Sequence, residues 1–172
     1  MASNQLAPPR VVTTTHKSDG TTVIGSDAQA TPFFPFGPGG SSFSIFHSSD
    51  TVPVSNTGPL PSTVTSTVPR APPNGVMFCT SDISPGQTSP MHRTVSLDYA
   101  CVLSGEITLK LDGGEETIVK TGEFILQRGG MHLWFNHTQE PCRILCVLLG
   151  SEKIVTEEGK ELDAFFPSRP DA

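Results

Sequence analysis

From Gly75 onward the chain is a series of short apolar runs separated at regular intervals by turn residues, and this spacing constrains the fold more than any other feature. The runs are VMFCTSDI, RTVSLDYACVL, EITLKLD, EETIVK, EFILQR, MHLWFN and CRILCVLL. Between them fall Pro85-Gly86, Ser104-Gly105, Asp112-Gly113-Gly114, Thr121-Gly122 and Gly129-Gly130. Within EITLKLD, Ile107, Leu109 and Leu111 alternate with Glu106, Thr108 and Lys110, so one face of that strand is buried and the other wet. Sixteen Gly and sixteen Pro in 172 residues disfavour helix interiors, and the expected fold is all-β, a sandwich or closed barrel.

Composition divides the chain near Asn74. Residues 1–73 hold 11 of the 16 Pro and balance Arg10, Lys17 and Arg70 against Asp19, Asp27 and Asp50, so the net charge of −6 belongs to the rest. This front part reads as a Pro/Ser/Thr-rich extension, yet it carries Phe33, Phe34, Phe36, Phe43 and Phe46. Rings of that size gain by packing, on the barrel or on a partner subunit. RVVTTTH, KSDG and TTVIG predict a β-hairpin turning at Asp19-Gly20 and covering a sheet edge. The barrel is expected over 74–155, followed by a tail, 156–172, in which EEGKELDAFF forms a short helix.

A negative net charge repels a phosphate backbone or an anionic membrane, which argues against nucleic-acid and membrane partners. The opening MASNQLAPPRVV lacks the pattern of a secretory signal, and no apolar run is long enough to span a bilayer, so a cytoplasmic protein is expected. Cys79, Cys101, Cys142 and Cys146 lie in strand-like sequence without zinc-finger spacing and read as buried free thiols.

The residues with chemical potential fall in two units. In the first, Gly86, His92, Thr94, Asp98 and Gly105 stand at intervals of six, two, four and seven positions. The second runs from Gly122 through Arg128-Gly129-Gly130 to His132, with Asn136 beyond it. This double pattern resembles the two motifs of the cupin family, whose fold is a double-stranded β-helix, or jelly-roll barrel. The resemblance implies a lumenal site made by His92, Asp98 and His132, with Thr94 where the family has a second histidine. Two imidazoles and a carboxylate are the ligand set of a facial triad, so the residues are read as catalytic and as holders of a divalent ion such as Fe, Mn, Ni or Zn. A metal-free cluster doing acid and base work stands beside that reading.

MHRTVSLDYACVLSGEITLKLD, GEFILQRGGMHLWFN and PCRILCVLLG also resemble a group of small cupin-domain proteins of fungi and bacteria. Fungal members act in polyketide and other secondary-metabolite biosynthesis, some as cupin-domain oxidoreductases. The resemblance implies an oxidoreductase acting on a small polyketide-type intermediate. A metal-independent decarboxylase, dehydratase or isomerase, and a non-catalytic small-molecule-binding barrel, are the alternatives. Thr94, Tyr99, Gln127 and Trp134 flank the motifs and are read as substrate-binding residues, Trp134 as a wall for a flat ring. CRILCVLL is apolar on both faces, which together with the resemblance points to a homodimer.

Overall fold

The computed structural model describes residues 5–57 and 67–167. Its strands are β1 (Arg10–His16), β2 (Thr22–Gln29), β3 (Ser42–Ser49), β4 (Val76–Ile83), β5 (Ser96–Ser104), β6 (Glu106–Leu111), β7 (Glu116–Lys120), β8 (Phe124–Arg128), β9 (His132–Phe135), β10 (Cys142–Gly150), β11 (Ile154–Val155) and β12 (Glu161–Leu162). Five of them form one antiparallel sheet in the order β3-β4-β10-β5-β8, and three form a second, β7-β6-β9. The core lies between the two sheets: Ile83, Ala100, Val102, Cys142 and Ile144 from the larger meet Ile107 and Val119 from the smaller. The architecture is the jelly-roll barrel that the family resemblance implies, built from the short strands that the turn spacing predicts.

Alternation decides which side chains reach the lumen. On β5, Ser96, Asp98, Ala100 and Val102 are buried while Tyr99 and Leu103 are exposed, as period two requires. Between β5 and β6 the chain turns at Gly105, whose φ of +74° places a would-be Cβ within 2.9 Å of the Pro141 carbonyl oxygen. Only glycine fits there.

The phenylalanines of the front segment pack. β3 pairs with β4 at the edge of the larger sheet, Phe33 and Phe43 share a bridge, and the Phe46 and Phe78 rings meet edge to face at 5.0 Å. The expected hairpin is β1 and β2, with the Asp19 carboxylate accepting the Thr21 amide at 2.9 Å and Gly20 at φ +84°. It forms a sheet of its own. The chain just before it is tied to the barrel by Arg143, which pairs with Asp82 and donates to the Ala7 carbonyl at 2.9 Å. The Pro/Ser/Thr-rich stretch 58–66 and the end of the tail, 168–172, lie outside the described residues.

The helix expected in EEGKELDAFF is absent, and a small hairpin of β11 and β12 stands in its place. Gly159 turns the chain with φ +79°, Thr156 N donates to Lys160 O at 2.9 Å, and Lys153 holds both Glu161 and Asp163. A glycine at this point costs a helix about 1 kcal/mol and serves a tight turn well. The four cysteines are free thiols, two of them buried. Among the described residues no helix is long and apolar enough to cross a membrane.

Candidate functional site

Two backbone bridges bring the motif histidines together. His92 N donates to His132 O and His132 N to His92 O, both at 2.9 Å, and the two rings lie 4.3 Å apart, inclined by 48°. Each ring is also fixed at Nδ1. His92 Nδ1 lies 2.8 Å from the Pro90 carbonyl oxygen and His132 Nδ1 lies 2.9 Å from that of Gly130. A carbonyl only accepts, so in the neutral rings the proton sits on Nδ1, and both Nε2 atoms keep a free lone pair.

Burial keeps the rings neutral. His132 is 3% exposed, and desolvation, reinforced by its neighbour His92, lowers its pKa to about 4. Desolvation also lowers that of His92, opposed by the Pro90 hydrogen bond and assisted by the charge of Arg70. Asp98, 8% exposed, is pushed up to about 6 by burial, with the neighbouring Ser96 side chain acting the other way. Near neutral pH the site therefore presents two unprotonated Nε2 atoms and a buried carboxyl group whose pKa is raised toward neutrality.

The three-ligand metal set does not assemble from these residues. Among those described, no three His, Cys, Asp or Glu side chains converge as a metal-ligating group. Asp98 stands on the inner face of β5, in register with Gln127 of β8 and Leu148 of β10, and its Oδ1 is buried without a hydrogen-bond partner. Thr94, in the place of the family's second histidine, adds no ring nitrogen. Its residue lies ahead of the start of β5 at Ser96, outside the regular alternation that would set it beside His92.

The four residues read as substrate contacts have different fates. Gln127 is buried, with Nε2 3.3 Å from His132 Nδ1 and 3.4 Å from the Gly130 carbonyl that it shares with that ring. Trp134 meets His132 edge to face at 5.4 Å and packs on the main core cluster. Thr94 lines a crevice with Arg93, Arg128 and Ile154, and its hydroxyl is buried without a partner. Tyr99 requires correction: it is 50% exposed on the outer face of the larger sheet and does not face the lumen, because Asp98 beside it does.

Two residues at the site went unread in the sequence. Phe166 stacks on His92, centroids 5.6 Å apart and planes inclined by 26°, and the Arg70 guanidinium carbon lies 3.9 Å from the Phe166 ring centre. The pair of phenylalanines in an otherwise acidic tail was the available signal. Asn136, by contrast, is structural. Fully buried, it donates to Ile83 O and Glu140 O and accepts from the Thr138 amide and hydroxyl.

Residues 80–148 match the cupin domain, and the chain belongs to the cupin family. It is 33% identical over 166 residues to the Phomopsin biosynthesis cluster protein C' of Diaporthe leptostromiformis, covering 93% of this chain and 87% of that protein. It is 42% identical over 88 residues to the cupin-domain-containing oxidoreductase virC of Hypocrea virens, a match spanning 49% of this chain and 45% of the relative. The relatives are thus fungal cupin-domain proteins of secondary-metabolite biosynthesis clusters, and the match to virC spans less than half of that relative's length. Among solved structures, the polyketide cyclase RemF from Streptomyces resistomycificus is similar with a TM-score of 0.48 and 21% identity, over 71% of this chain and 75% of that one.

Proposed function

We propose that this chain is an enzyme of fungal secondary metabolism that transforms a small polyketide-type intermediate inside the barrel, in the oxidoreductase class named for several relatives. The observation that carries the reading is the pair of tethered imidazoles, each with its Nδ1 on a backbone carbonyl and its Nε2 free. Fixed neutral imidazoles in a desolvated site are suited to take a proton from a substrate hydroxyl or carbon acid and to return one. In this reading His92 and His132 together take and return the proton, Gln127 is the positioning group behind the His132 ring, and Asp98 is a second proton carrier. A purely proton-transferring reaction, such as dehydration, decarboxylation or isomerisation, is the second reading. It is favoured by the failure of Asp98 to join the imidazoles as a third ligand.

The test is metabolite profiling in a host that supplies the partner enzymes of the pathway, with the parent chain, with His132→Ala, or with neither. An intermediate that accumulates alike without the chain and with the variant supports catalysis at this site. Its mass relative to the product then separates the readings: two hydrogens for oxidation or reduction, water or carbon dioxide for elimination, no change for isomerisation. Full product formation by His132→Ala would remove the assignment.

We further propose that the enzyme works as a homodimer joined through the outer face of the larger sheet. Leu126, Tyr99, Val147 and Phe78 stand as neighbouring partners across β8, β5, β10 and β4; Leu126 and Tyr99 are half exposed or more, and Phe78, against Phe46, is about a third exposed. Phe124, 81% exposed, begins the adjacent row. The occupant is a second copy, since a chain of net charge −6 best approaches its like through an uncharged apolar face.

A further inference from the structure

From the interior to the surface, Trp134, His132, His92, Phe166 and Arg70 form a continuous run of flat groups, each in contact with the next. Four of the five are firmly held. The histidines are bridged to one another, and Trp134 packs on the core. Arg70 precedes a pinned segment: Ala71 packs on the second core cluster, Pro72 O accepts the Gly75 amide at 3.0 Å, and the Pro72 and Pro73 carbonyls press on Gly150, within 2.3 Å of where a Cβ would lie. Phe166 is the exception. It rides on the strap after β12, tied by the two backbone bonds that Phe165 exchanges with Arg93 at 2.8 and 2.9 Å, while Phe165 itself is 49% exposed. The ion pairs that steady the strap, Lys153 with Glu161 and Asp163, are surface pairs and contribute little.

We infer that Phe166 occupies a subsite for a planar aromatic ring bearing an acidic group, which enters by displacing Phe166, stacks on His92 and places its carboxylate or phenolate on Arg70. The inference rests on the reading of the His92–His132 pair as the reaction site. A substrate ring would replace the stacking and cation–π contacts of Phe166 one for one. Its acid would add a charge-assisted hydrogen bond that a phenylalanine cannot make. Arg70 has no ion-pair partner among the described residues, and its guanidinium spends its charge on the face of a hydrocarbon ring. In a chain whose net charge is −6, a guanidinium without an ion-pair partner among the described residues favours anions. Displacing the ring also uncovers the outer side of His92.

The sole tryptophan, Trp134, lies 5.4 Å from the His132 ring, so its fluorescence reports occupancy without turnover. Benzoate and the neutral isostere benzamide are titrated into the parent, Phe166→Ala and Arg70→Gln, with circular dichroism to establish that each variant is folded. Phe166→Ala is expected to bind benzoate about tenfold more tightly, because the competing ring is gone. Arg70→Gln is expected to lose about tenfold in benzoate affinity and little for benzamide. Equal affinities for the two probes in the parent, no benzoate binding at all, or unchanged or weaker binding by Phe166→Ala with only a lower melting temperature, would each overturn the inference. Because the titration needs no reaction, a His132→Ala variant that turns over nothing different from the parent but keeps the benzoate preference would remove the catalytic reading and leave the subsite standing. A His132-dependent enzyme blind to Arg70 would do the reverse.

Discussion

His92 and His132 are joined through main-chain atoms and read each other through their rings: the backbone bonds are 2.9 Å each way and the ring centres are 4.3 Å apart. Removing either side chain therefore leaves the bridge intact. His92→Ala and His132→Ala should each fold and each lower turnover by roughly a hundredfold to ten-thousandfold, the range for loss of a positioned acid or base. The double variant should be little worse than the poorer single one, since residues acting as a unit are not additive. Steady-state rates on the accumulated intermediate check this, and two independent, multiplying effects would contradict it.

Asp98 and His132 should oppose each other in the dependence of stability on pH. The Asp98 carboxyl, raised from 3.8 to about 6, holds its proton more tightly when folded, so its contribution is present below 3.8 and lost as pH rises through about 6. His132, lowered from 6.5 to about 4, contributes stability above 6.5 that is lost as pH falls through about 4. Each shift corresponds to about 3 kcal/mol, so between about pH 4 and 6 the two nearly cancel. Urea unfolding across this range should show that, relative to the parent, Asp98→Asn loses stability toward acid and His132→Asn loses it toward neutrality. Parallel profiles for all three proteins would show that these groups are not shifted as described.

The regular turn spacing made the barrel legible, and the two motifs brought His92 and His132 to one place before any coordinates. Tyr99 was misplaced although its neighbour contained the answer: a strand that turns Asp98 inward turns Tyr99 outward. Thr94 escaped the same rule because residues 92–94 precede β5, so strand alternation does not apply to them. That His92, Asp98 and His132 do not converge as a ligand group depends on side-chain placement, which spacing along the chain does not encode. Phe166 and Arg70 meet across almost a hundred residues, and neither belongs to a repeating pattern. The helix expected near the end failed on one residue, Gly159, whose positive φ favours the turn between β11 and β12.

Asn136 should matter for folding more than for chemistry. Its amide donates at 2.9 and 2.8 Å to Ile83 O and Glu140 O, and its carbonyl accepts two bonds from Thr138. Asn136→Ala leaves these groups buried without partners and should lower stability by about 2–4 kcal/mol. Asn136→Asp should be at least as damaging, because a carboxylate would face the two carbonyls in place of their donor. Chemical unfolding measures both, and a loss below about 1 kcal/mol would mean that the turn between β9 and β10 finds other partners.

The outer face of the larger sheet should decide the state of assembly. Leu126, Tyr99, Val147 and Phe78 form one cross-strand row, and Phe124, Cys101 and Leu145 form the next. Covered by the same face of a second copy, these rows make an isologous contact with an apolar centre, the arrangement expected of a two-fold dimer. Charge placed at the middle of such a contact meets its own symmetry mate and must be desolvated beside it. Light scattering should therefore give the parent twice the 18.3 kDa chain mass, and the double variant Phe124→Asp with Leu126→Asp the mass of a single chain with its circular dichroism unchanged. A parent that stays monomeric at high concentration would mean that this face serves another partner, and a double variant that stays dimeric would place the contact elsewhere on the chain.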